Sequence, residues 1–144
     1  MIRYLLDTDA LSLLLRRDSV VQDFVKALPP KEFGISILSY EEQITGRFAQ
    51  LRRARTAQET VDAYGWLQKT AELLAPMPLV GFAEVSLVRF EALVALKLNV
   101  GSNDLRIAAT ALEIGAAVVT RNLRDYSRVP MLRIETWVEH EDEE

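Results

Sequence analysis

The chain is 144 residues long, 49% hydrophobic, carries a formal charge of −4 and contains no cysteine and one histidine. That is enough apolar material for one domain with a real core, and it excludes disulfides, thiolate zinc sites and cysteine nucleophiles. His140 sits in the acidic run EHEDEE, so any metal must be held by oxygen.

No apolar stretch approaches the roughly 18 to 20 residues of a membrane span, and no basic-then-apolar leader pattern opens the chain. The expectation is a soluble, cytoplasmic protein with one domain over residues 1–138 and a disordered acidic tail over 139–144. Net negative charge argues against a protein that coats nucleic acid, but not against a nuclease. Arginines gather in two groups, Arg47, Arg52, Arg53 and Arg55, then Arg121, Arg124, Arg128 and Arg133. Such local groups can meet phosphates while the whole chain stays acidic.

In chain order, IRYLL (residues 2–6) predicts a short apolar strand, followed by helical spacing from Ala10 to Leu15. A second helix is expected to run to Leu28 and stop at Pro29 and Pro30. FGISIL, Phe33 to Leu38, predicts a second strand; Tyr40, Ile44, Phe48 and Leu51 then recur at helical spacing. Further helices are expected over Ala57–Leu74, Ala83–Leu98 and Leu105–Ile114, with PLVGF (Pro78 to Phe82) as a possible strand. Gly115 is placed to end the last of these helices, before a buried strand AAVVT (Ala116–Thr120) and a final strand MLRIE (Met131–Glu135). Strands alternating with helices predict a three-layer α/β/α domain around a mostly parallel sheet.

In such sheets ligands sit outside the carboxyl ends of the strands. Asp7 follows the first strand, Glu42 lies near the start of the helix after the second, and Asn122 and Asp125 follow the AVVT strand. Asp104 opens the helix that feeds that strand, so it reaches the same edge. Each has a plain structural alternative: Ser39 with Glu42 fits a capping box, Ser102 or Asn103 could cap the helix that Asp104 opens, Thr8 and Asp9 could cap the first helix, and Asn122 could open a turn. Taken together, four carboxylates in one crevice repel one another unless protons or a cation bind. A ligand set of hard oxygen favours Mg²⁺ or Mn²⁺, and such ions can activate water and stabilise the leaving oxygen in phosphodiester hydrolysis.

The ordered set YLLDTD, SILSYEEQITG and NDLRIAATALEIGAAVVTRNLRDYSRVPMLRIETW resembles the PIN-domain ribonucleases, and among them the VapC toxins of type II toxin–antitoxin pairs, over essentially the whole chain. The resemblance implies the PIN fold and a Mg²⁺- or Mn²⁺-dependent endoribonuclease that cuts structured RNA such as tRNA or rRNA. It also implies inhibition by a cognate VapB-type antitoxin, often through an inserted Arg, and homodimers. Asp7, Glu42 and Asp104 match the family's first three acids, with Asp7, Asp104 and Asp125 expected to hold the ion. The fourth catalytic position is shared between Asn122, where the family often has Asp, and Asp125 three residues on. Thr120 matches a supporting hydroxyl residue, and Asp9, where Asn is common, reads as a supporting group behind the ligands.

Other classes fit less well. A PIN-domain RNA-processing nuclease without an antitoxin shares the chemistry. DTDA after a strand suggests phosphoryl transfer through a covalent aspartate, but no lysine precedes a later acidic loop. A non-enzymatic partner-binding domain would use the acids only as caps. Trp66 and Trp137 could stack on bases, yet Trp137 is better placed to close the last strand against the core.

Overall fold

A computed structural model describes residues 1–137; the expected tail and His140 lie outside the described residues. The elements are β1 (Tyr4–Leu6), α1 (Thr8–Leu15), α2 (Ser19–Lys26), β2 (Phe33–Ser36), α3 (Ile37–Arg53) and α4 (Ala57–Leu74). They continue with β3 (Leu79–Val80), α5 (Glu84–Ala95), α6 (Ser102–Ile114), β4 (Ala117–Val119), α7 (Leu123–Tyr126) and β5 (Ile134–Glu135). The five strands form one sheet in the order β3-β2-β1-β4-β5, and every neighbouring pair is parallel. The sheet is therefore wholly parallel, rather than mostly so, among the described residues.

Strand alternation builds the two cores. Leu5 and Val118 face one side, where they pack with Ile107, Ala108 and Ala111 of α6, Leu93 of α5 and Tyr126 of α7. Leu6, Ile35 and Val119 face the other, against Leu11 and Leu15 of α1, Val21 and Val25 of α2 and Leu74 of α4. Both faces of the central strands are covered, as a parallel sheet requires, and the result is the expected α/β/α sandwich. The alanines of α6 are short enough to let that helix lie close against the sheet. Gly34 serves a similar need on β2: a Cβ there would stand 2.9 Å from the Pro78 carbonyl oxygen.

Where element limits differ from expectation, the backbone explains it. The last strand begins at Ile134 rather than Met131, because Met131 takes a left-handed φ of 64°. The helix expected to reach Leu98 ends at Ala95, closed by Lys97 at φ 53°. Gly115 ends α6 at φ 70°, as read from the sequence. Among the described residues, no helix is long and apolar enough to cross a membrane.

Candidate active site at the carboxyl edge of the sheet

Three strand exits and one helix start build the site. The chain leaves β1 at Asp7 in extended geometry, and the Asp7 carboxylate caps α1 by accepting a hydrogen bond of 2.8 Å from the Ala10 amide. The cap is thus Asp7, not Thr8 or Asp9, because the turn into the helix begins one residue earlier. Its second oxygen accepts a 2.7 Å bond from the buried Thr120 hydroxyl at the end of β4. Thr120 in turn accepts from the Asn122 amide at 2.9 Å. Two neighbouring strands are thereby tied together through Asp7.

The second exit corrects the capping-box reading of Ser39 and Glu42. Ser36 is the cap of α3, accepting from the Ser39 amide at 3.1 Å, since the chain turns into the helix three residues before Ser39. Ser39 is instead a buried helical residue whose hydroxyl meets those of Thr8, at 3.0 Å, and Ser36, at 3.3 Å. Glu42 then stands in the second turn with no capping duty. At α6 the cap is Gly101 rather than Ser102 or Asn103, which leaves Asp104 in the first helical turn. Tyr126 of α7, fully buried, donates from its hydroxyl to Asp104 at 3.2 Å.

Asp7, Thr8, Asp9, Ser12, Asp104, Arg121 and Asn122 line one cleft of about 670 Å³. Glu42 lines the adjoining recess of about 210 Å³, which shares Ser12 with the cleft. Asp125 stands behind Asn122, whose side chain both donates to its carboxylate, at 3.1 Å, and caps α7 by accepting from its amide at 3.3 Å. Arg128 lies 3.7 Å from the same carboxylate. The expected acids are therefore gathered at one edge, with Asp7 and Asp104 in the cleft, Glu42 beside it and Asp125 one step back.

Their electrostatics show the cost of that gathering. Burial pushes the Asp7 carboxyl up to about 6, against the lowering effect of the Ala10 and Thr120 hydrogen bonds, and the charges of Asp9 and Asp104 raise it further. Glu42 is raised by burial and by the charges of Glu41 and Asp104, with the facing Thr8 hydroxyl partly offsetting the rise. Asp104 is raised by burial and by Asp125 and Asp9, and lowered by the Tyr126 hydroxyl. Burial first, then the charges of Asp7 and Asp104, keep Tyr126 in its phenol form. The arrangement favours bound protons or a bound cation.

The described donors are all oxygen, as Mg²⁺ and Mn²⁺ prefer. Among the described residues no three acidic side chains close around a single point. Mg²⁺ does not require that, since it is commonly held through one or two carboxylates with several waters. The donor set therefore fits such an ion through Asp7 and Asp104.

No family model matches the chain. Ribonuclease VapC1 of Haemophilus influenzae (strain R2866) is 26% identical over 139 residues, covering 93% of this chain and 97% of that protein. Ribonuclease VapC2 of H. influenzae (strain Rd) is 49% identical over a segment of 39 residues. Among solved structures, DNA-bound VapBC from Salmonella typhimurium superposes with a TM-score of 0.77 at 21% identity, over 96% of this chain and 100% of that one. VapBC-1 from nontypeable H. influenzae gives 0.71 at 24%, again over 96% and 100%. The chain shares the PIN-like fold of these structures.

Within this PIN-like fold, sequence reasoning missed Tyr126 and Arg121 as members of the site. The signal for Tyr126 was an aromatic directly after Asp125 in a segment too short to show helical periodicity. Arg121 was visible only as part of a basic group, and that group does not act as one. Arg121 pairs with Asp9, Arg128 donates to the Asn99 carbonyl, and Arg133 donates to that of Gly115. Of the other group, Arg47 turns inward to Thr70 and Gln50 and lies over the Trp66 ring at 5.2 Å, with Lys69 at the same distance. Trp137 packs on Phe24, ring centres 6.1 Å apart, as expected for a residue closing the last strand.

Proposed function

We propose that this protein is a divalent-metal-dependent endoribonuclease, the toxin of a type II toxin–antitoxin pair. The observation that carries the reading is the meeting of Asp7, Glu42 and Asp104, each with raised proton affinity, at the carboxyl edge of the sheet. It is joined by the end-to-end similarity to ribonuclease VapC1. Asp7 and Asp104 would hold Mg²⁺ or Mn²⁺, with Glu42 and Asp125 acting on its waters and Asn122 orienting Asp125. When bound, the ion would supply water activation and charge stabilisation at the phosphodiester.

The chain's own residues do the positioning. Thr120 and the α1 amide hold Asp7 rigid, and Tyr126 fixes one oxygen of Asp104 while favouring its ionised form. Structured RNA such as tRNA or rRNA is the proposed substrate and the cytoplasm the proposed place of action. The relatives solved as VapBC complexes support a VapB-type antitoxin as partner. A homodimer is also proposed, through an exposed apolar face of α5.

The test is cleavage of a mixed RNA pool by the purified protein with Mn²⁺ or Mg²⁺ and with EDTA, beside Asp104→Asn. Fragments that need the metal and disappear in the variant support the reading. Fragments of equal yield with EDTA, or from a folded Asp104→Asn protein, would falsify it.

A further inference from the structure

The cleft is lined by three carboxylates, from Asp7, Asp9 and Asp104, and by one cationic side chain, Arg121. An RNA strand brings further negative charge into this field, so its approach depends on whatever cation the cleft presents. Arg121 presents one in a fixed orientation. Its Nε donates to one oxygen of Asp9 at 2.6 Å and its Nη2 to the other at 3.1 Å, a two-point fork that sets the plane of the guanidinium. Nη1 has no hydrogen-bond partner among the described residues.

The backbone beneath is equally fixed. Thr120, one residue before, is buried and bonded to Asp7, and Asn122, one residue after, donates its amide to the Thr120 hydroxyl. Folding alone gives this pair little reason to exist. Both side chains are 40% or more exposed, and exposed ion pairs contribute little to stability. Asp9 moreover adds a third carboxylate to a cleft already lined by Asp7 and Asp104. Its place beside them is explained if its work is to hold Arg121.

We propose that Arg121 is a substrate-positioning residue: clamped by Asp9, it presents Nη1 to a phosphate of the RNA strand lying in the cleft. The inference rests on the ribonuclease reading above. Asp9 acts through Arg121, so the two form one unit and their removal is not additive.

The experiment measures binding of a labelled mixed-sequence RNA oligonucleotide to the Asp104→Asn protein, with and without Arg121→Gln, across a range of salt concentrations. Arg3→Gln serves as control, an exposed arginine paired with Glu32 at the amino end of β1. Arg121→Gln is expected to weaken binding about five- to tenfold and to reduce the salt slope by about 0.7, one single-strand phosphate contact. The control leaves both unchanged. In the otherwise unmutated protein Arg121→Gln raises KM more than it lowers kcat, Arg121→Lys recovers part of the loss, and Asp9→Asn adds little once Arg121 is gone. Equal affinity and slope in the Arg121→Gln protein overturn the inference, as does faster cleavage, which would make Arg121 a block on the cleft. If the unmutated protein neither cuts RNA nor, as Asp104→Asn, binds it, the ribonuclease reading fails first and takes this inference with it.

Discussion

Asp7 carries two duties that pull in opposite directions. As an N-cap it orders α1, and as a buried carboxylate it resists ionisation, with its titration raised from 3.8 to about 6. Because the folded state binds its proton more tightly than the unfolded state, the contribution of Asp7 to stability is greatest below pH 3.8 and is lost as pH rises through about 6. The loss is roughly 3 kcal/mol by the usual conversion of such a shift. Asn at this position keeps the cap and removes the charge. In EDTA at pH 7.5, Asp7→Asn should therefore melt several degrees above the unmutated protein, and the gap should shrink towards pH 4. Asp7→Ala removes the same charge but loses about 1 kcal/mol of cap and leaves the Thr120 hydroxyl without its acceptor, so it should melt below Asp7→Asn at every pH. Melting curves of the three proteins across pH check this; a gap that does not change with pH would remove Asp7 from the titrating set. Tyr126→Phe tests the other half of the pair: without its hydroxyl, Asp104 takes up a proton more readily. The acid limb of the cleavage profile should then move to higher pH.

At the level of elements, helix ends decide how far a change spreads. Gly115 turns α6 into β4 at φ 70° with open space where a Cβ would stand, so Gly115→Ala meets only the backbone cost, about 1 to 2 kcal/mol. Gly34→Ala meets the Pro78 carbonyl at 2.9 Å and must displace the edge of β3, so it should lower the melting temperature further. Thermal unfolding of both variants orders them; the reverse order would mean that β3 yields easily. The same elements show what was legible beforehand. Apolar alternation and turn residues place every strand and long helix, and the carboxyl-edge rule places Asp7, Glu42, Asp104 and Asp125 before any coordinates. The helix α7 was not legible, being four residues long. Ser36 rather than Ser39 caps α3 because the cap is whichever residue last holds extended geometry, a matter of where β2 ends in its register. Pairings such as Thr120 with Asp7, Tyr126 with Asp104 and Arg121 with Asp9 join residues far apart in the chain. They depend on the packed arrangement of β1, β4, α6 and α7, which no local pattern encodes.

At the scale of the whole molecule, the two layers over the sheet are unlike. The helix α5 packs on α6 yet leaves Val85 and Val88, neighbours on one side of the helix, largely exposed. Val85, Val88 and Ala92 line a shallow cleft of about 450 Å³, bordered by the Arg89–Glu113 ion pair. Isolated apolar side chains on a surface are ordinary, whereas neighbours that line one cleft are candidates for a contact face. If two copies meet there, a twofold axis places the same residues on both sides, so one substitution alters the interface twice. Val88→Glu puts two like charges into that contact while leaving a position 62% exposed in the single chain, where folding tolerates it. The expected outcome is a dimer mass by light scattering for the unmutated protein and a monomer mass for Val88→Glu, with unchanged circular dichroism. A variant that stays dimeric moves the interface away from α5, and an unmutated protein that is monomeric at micromolar concentration removes the homodimer. Because the cleft around Val85 and Val88 shares no residue with the cleft that holds Asp7, Asp104 and Arg121, the monomeric variant should still bind RNA. Its affinity then separates what each cleft does alone from what two clefts do together on one structured RNA.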